Sequence, residues 1–200
     1  MQELITYDKL KEKLLSITNK RDQALLCTVY ACMARVGEIT RSRYKPKTKG
    51  LTVEELNSQD NKLEIILTTS KTKRPRKILL FRNRESWLIE VIENWALQVG
   101  TGELFPISTR WAEVIFSKYF DIKGKGSGDS SSNDSLHTIH WLRGWRYTHY
   151  KRGDVTGRIV ESKIASLIGG WVSSATPDKY YDFTQIDDFE KFLENKEEGN

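Results

Sequence analysis

The sequence predicts a mainly helical domain with a small antiparallel β-sheet, an α+β arrangement. Three observations carry that expectation. Apolar residues recur at helical spacing in several separate windows. One short window, Leu63, Ile65 and Leu67, alternates with period two, and a second apolar run, Ile78 to Phe81, follows it. The residues between Ser70 and Lys77 are mostly basic, which suits the charged tip of a hairpin.

The elements follow in order. Residues 7–16 read as a short amphipathic helix with Leu10, Leu14 and Leu15 on one side. Residues 20–34 read as a buried helix, with Ala24, Leu25, Leu26, Val29, Tyr30 and Met33 as its apolar positions. Lys45 to Gly50 is a basic loop, and the hairpin comes next. Trp87, Leu88, Val91, Ile92, Trp95 and Val99 mark one face of a further helix. A shorter helix spans Arg110 to Phe120, with Ser108 or Thr109 as its cap. Residues 124–135 are rich in Gly, Ser and Asp, bury no apolar surface and are expected to form a flexible loop. Helices resume over 138–152 and 158–169. The acidic tail 184–200 contains a helix candidate, 186–197, striped with Ile186, Phe189 and Leu193. No internal repeat is visible.

Charge narrows the function classes. The chain of 200 residues carries a formal charge of +5, unevenly spread. Residues 182–200 hold seven acids and two lysines, whereas 41–84 hold thirteen Lys/Arg and four acids. A basic field of that kind attracts polyanions. Cys27 and Cys32 sit in an apolar helical run and read as reduced core thiols of an intracellular protein. No Cys, His and acidic set has metal-ligand spacing, so neither a metal nor a cofactor is expected. The longest apolar run, around 24–34, is too short to span a bilayer, and Glu3, Asp8 and Lys9 interrupt any signal-peptide pattern.

Five motifs then occur in order: Arg35-Val-Gly-Glu38 at the end of the buried helix, Ser70-Lys71-Thr72 at the hairpin, His140-Trp-Leu-Arg143, Gly170-Trp171, and Tyr180 nine residues after Trp171. In this order the chain, from about residue 7 to 183, resembles the catalytic domain of the tyrosine recombinase (phage integrase) family. The resemblance implies the integrase catalytic-domain fold over residues 1–183. It also implies a site-specific recombinase that breaks and rejoins double-stranded DNA through a 3′-phosphotyrosine.

The residue chemistry agrees with that implication. Attack on a phosphodiester builds negative charge on the non-bridging oxygens. Arg35 and Arg143, from distant parts of the chain, offer planar forks that remain charged at any working pH. Glu38 lies three residues after Arg35 on the same helical side and would orient it. The resemblance makes Lys71 the general acid toward the leaving 5′ oxygen, with Lys73 two residues along as its rival. It makes His140 a proton acceptor or phosphate donor. Trp171 stands where a histidine is commoner; its indole N–H only donates, so it positions and does not shuttle protons. Tyr180 is the expected nucleophile, and adjacent Tyr181 is a second candidate. Arg41, Arg43, Lys73, Arg74, Arg76 and Lys77 are expected to contact the DNA backbone.

Further expectations follow from the resemblance. The protein would assemble on DNA as a tetramer, act inside the cell in the cytoplasm or nucleoid (that of a host cell if virus- or plasmid-encoded), and belong to a virus or mobile element. The tail 184–200 would either dock onto a neighbouring protomer or fold back on its own domain. This stretch would lack the family's separate N-terminal DNA-clamping domain, as either a fragment or a minimal form, and weak, poorly specific DNA binding is expected of it alone. A transposase or type IB topoisomerase of the same chemistry, and a catalytically inactive DNA-binding module, are the alternatives. A basic helical protein for RNA or membrane surfaces explains the charge alone.

Overall fold

A computed structural model of the protein describes residues 5–41, 49–68, 75–120 and 139–180. Helix α1 (Tyr7–Leu15) leads into α2 (Lys20–Cys32), whose start is capped by the Asn19 side chain accepting from the backbone N–H of Asp22 at 3.0 Å. Every residue of α2 from Asp22 to Cys32 is buried. A helix buried on all sides belongs at the centre of its fold, and α2 packs against α1, α4, α5 and α6. It ends at Met33, which adopts a left-handed conformation (φ +44°) that is uncommon outside glycine. That turn redirects the chain into a single helical turn, α3 (Val36–Ile39), with Arg35 at its N-cap.

The sheet has three antiparallel strands in the order β1 (Leu56–Ser58), β2 (Lys62–Thr68), β3 (Pro75–Phe81). Its register sets Leu63 opposite Leu80, Ile65 opposite Ile78 and Leu67 opposite Arg76. The expected alternation thus places Ile65, Leu67, Ile78 and Leu80 in the core, all essentially inaccessible to solvent. Strand β1 had no forecast, because three residues are too few to show a period.

Strand β3 runs directly into α4 (Arg82–Val99), which has a kink at Glu85 (φ −136°, ψ 38°). Helix α5 (Thr109–Phe120) starts where Ser108 Oγ accepts the Trp111 N–H at 3.2 Å, which decides between the two expected caps. Helix α6 (His140–Arg152) is buried from Leu142 to Tyr150 and stops at Gly153 in the left-handed region (φ +83°). Helix α7 (Ser162–Gly169) begins four residues later than the periodicity suggested, after a run of turns. The last described element is α8 (Ala175–Tyr180). Pro177 fits there because it stands in the first helical turn, where its missing N–H has no partner to lose. One large core joins α1 through α6 and the sheet; a smaller cluster of Met33, Tyr147, Tyr150, Val155 and Ala165 lies under α7. The 124–135 segment and the 184–200 tail lie outside the described residues. No described helix is long and apolar enough to cross a membrane.

Candidate active site

Helix α6 carries a stripe of polar side chains at helical spacing: His140, Arg143, Tyr147 and Lys151. His140 opens the helix. Burial, and the nearby charges of Arg143 and Arg35, push its imidazole below the ordinary histidine pKa, with Glu38 pulling the other way. Its Nδ1 is buried and has no hydrogen-bond partner among the described residues. Arg143 is 2% exposed; its Nη2 donates to the Gly169 carbonyl at 2.8 Å, and its guanidinium lies 3.9 Å from the centre of the Trp171 ring. Tyr147 meets the same ring edge-on at 5.6 Å.

Arg35 enters from the other side, presented by the turn at Met33. Glu38 receives the Arg35 backbone N–H on Oε2 at 3.1 Å and its Nη1 on Oε1 at 3.2 Å. Arg35 and Glu38 thus form an i, i+3 ion pair, with the Glu38 side chain buried and that of Arg35 left 32% exposed. The structure brings Arg35, Glu38, His140, Arg143 and Trp171 together from three distant stretches of sequence. The resulting cleft is cationic, with one buried carboxylate.

Tyr180 ends α8. That helix is tied to α6 through Asp178, whose Oδ1 accepts the Tyr147 hydroxyl at 2.5 Å and lies 3.8 Å from Lys151 Nζ. Lys71, Arg43, Lys73, Arg74 and Tyr181 lie outside the described residues.

Three of the basic residues expected on DNA are described. Arg41 is exposed and pairs with Glu103. Lys77 is exposed on the outer face of β3 and reaches Glu64 at 2.9 Å. Arg76 turns inward: its side chain is only 9% exposed, and its two terminal nitrogens meet Glu38 and the carbonyls of Met33 and Ile168, while its buried Nε has no partner among the described residues. Strand alternation explains this, since residue 76 shares the inward face of Ile78 and Leu80. The sequence reading also passed over Gly169. A β-carbon there would stand 1.8 Å from the Trp171 ring, so the close approach of ring and backbone requires glycine. No group of three or more His, Cys, Asp or Glu among the described residues is placed to hold a metal ion.

No family model matches the chain, and no curated protein matches it by sequence. In three dimensions it is similar to the XerH site-specific recombinase, solved bound to its difH substrate as a pre-cleavage complex. The two are 12% identical with a TM-score of 0.60, over 96% of this chain and 54% of that one. The chain spans about half the length of that recombinase. The likeness at this identity is one of fold: a mainly helical chain with a three-stranded antiparallel sheet, folded as part of a site-specific recombinase is.

Proposed function

We propose that this chain is a DNA strand transferase that breaks and rejoins double-stranded DNA through a 3′-phosphotyrosine, without metal or ATP. The observation that carries the reading is the convergence of Arg35, His140 and Arg143 in one cleft, with Glu38 holding the first arginine and Trp171 stacked on the second. Preorganised charge aimed at a developing phosphorane is the largest catalytic contribution such a site can make. The fold shared with a recombinase solved on its DNA substrate supports duplex DNA as the ligand.

In this reading Arg35 and Arg143 bind the non-bridging oxygens of one phosphodiester. The Tyr180 hydroxyl oxygen bonds to phosphorus and its proton passes to His140. An imidazole with a depressed pKa is neutral near pH 7 and able to accept it. The bond between phosphorus and the 5′ oxygen breaks, and Lys71 gives that oxygen its proton. Rejoining runs the same steps backwards with a 5′-hydroxyl as nucleophile, and the phosphotyrosine conserves the bond. Trp171 donates or packs and carries no proton. Arg41, Arg43, Lys73, Arg74 and Lys77 contact the backbone around the site, and four protomers assemble on paired DNA sites.

A DNA substrate nicked near the scissile phosphate tests the chemistry, because loss of the short leaving strand traps the adduct. The wild-type chain is expected to form a covalent complex that survives denaturation. Tyr180→Phe should abolish it, and Tyr181→Phe should leave it. The opposite pattern moves the nucleophile to Tyr181; no adduct from wild type leaves a DNA-binding module without the reaction.

A further inference from the structure

Arg76 occupies a position that strand periodicity reserves for an apolar side chain. It faces Leu67 across the ladder and shares the inward side of β3 with Ile78 and Leu80. A buried guanidinium is costly unless its donors are met. Here Nη1 donates to the Ile168 carbonyl, and Nη2 donates to the Met33 carbonyl at 3.4 Å and lies 3.6 Å from Glu38 Oε2; the buried Nε has no partner among the described residues.

The identity of those partners matters more than their number. Met33 O belongs to the left-handed turn two residues before Arg35. Glu38 is the carboxylate that orients Arg35. Ile168 O and Gly169 O are consecutive carbonyls at the end of α7: the first is held by Arg76, the second by Arg143. Gly170, next in the chain, sits at φ +71°, and a β-carbon on it would stand 2.9 Å from Arg76 Cδ. One side chain thus touches the supports of both outer arginines of the cleft.

From this we infer that Arg76 is a positioning residue that fixes the separation of Arg35 and Arg143, bracing Glu38 and the Met33 turn on one side and the Ile168–Trp171 turn on the other. The inference rests on the reading of the cleft as a phosphate site. Arginine suits the task because its planar fork meets several acceptors in fixed directions; a lysine has one nitrogen. Arg76 itself does not touch DNA.

Two measurements on Arg76→Lys and Arg76→Gln test the brace. In the free protein, the amides of Gly170 and Trp171, bonded to Leu167 O and Ser166 O, should exchange with solvent at least about tenfold faster. Amides of α1 should be unaffected. On the nicked substrate, the adduct should form at least about tenfold more slowly while the DNA dissociation constant stays within about twofold. Combined with Glu38→Gln, the loss should be well short of the product of the single losses, because both act through one carboxylate. Unchanged exchange with an unchanged rate overturns the inference. So does a loss matched by weaker DNA binding, or one fully multiplicative with Glu38→Gln. If wild type forms no adduct, the functional reading fails while the exchange measurement still decides the brace.

Discussion

Gly169 shows how closely the cleft is set at the scale of single atoms. Its φ is not in the left-handed region, so alanine meets no backbone penalty there, and helix propensity alone favours alanine by up to about 1 kcal/mol. Space decides otherwise. The added methyl would stand 1.8 Å from Trp171 Cζ3, so the indole must leave its place over Arg143 and beside Tyr147. Overpacking of this kind costs about 1–3 kcal/mol. Gly169→Ala is therefore expected to lower the thermal midpoint and slow adduct formation by about ten- to a hundredfold. A rate equal to wild type would show that Trp171 has no part in aligning the arginines. Residue identity made Arg35, His140, Arg143 and Trp171 legible in the sequence, because each is a side chain with its own chemistry at a recognisable interval. What supports them was not. Gly169 O, Ile168 O and Met33 O are backbone atoms that leave no mark on residue type. Arg76 did leave one: extending the alternation of Ile78 and Leu80 back by two residues turns it inward. Its basic neighbours Arg74 and Lys77 made it look like surface charge instead.

Among the elements, α8 is the one that most needs help. Six residues make fewer than two helical turns, too few to be stable alone in water. Its position depends on Asp178, held by the Tyr147 hydroxyl and by Lys151, which also donates to Ser162 Oγ at 2.5 Å. Burial acts to raise the Asp178 carboxyl, yet these partners hold it below the usual carboxylate range. The consequence is a clasp between α6 and the helix that ends at Tyr180. Asp178→Ala should free α8, and tryptic cleavage after the exposed Lys179 should rise several-fold. Tyr147→Phe should do the same to a smaller degree. Cleavage unchanged in both would mean that other contacts hold the helix. The longer helices were legible because several turns of apolar spacing accumulate a signal. Helix α8 and strand β1 were not, being shorter than the period they would have to display.

At the scale of the whole molecule, α2, α4 and α6 are locked by a buried polar network beneath the apolar core. Arg146 and Glu85 form a buried ion pair, Arg146 Nη2 donates to the Tyr150 hydroxyl at 2.9 Å, and the guanidinium lies over Tyr30. Tyr30 then donates its hydroxyl to His149 Nδ1 at 2.8 Å, and the opposite ring nitrogen donates to the Ile5 carbonyl at 2.8 Å. That pairing requires a neutral imidazole, one N–H out and one lone pair in. Burial lowers the His149 pKa to about 4, against about 6.5 for an unstructured histidine. The sign follows from proton binding. Between about pH 6.5 and 4 the unfolded chain takes up a proton at this residue that the folded chain refuses, so stability falls as pH falls through that window. A shift of this size corresponds to a loss on the order of 3 kcal/mol. His140, lowered in the same direction, adds to the slope. Urea unfolding followed from pH 7 to 4 should show the wild-type midpoint dropping steadily below pH 6.5. His149→Gln keeps a donor and an acceptor but has no proton to gain. Its curve should start lower and be visibly flatter over the same range. Parallel curves for the two proteins would place the acid sensitivity elsewhere and remove His149 as the residue through which pH reaches the fold.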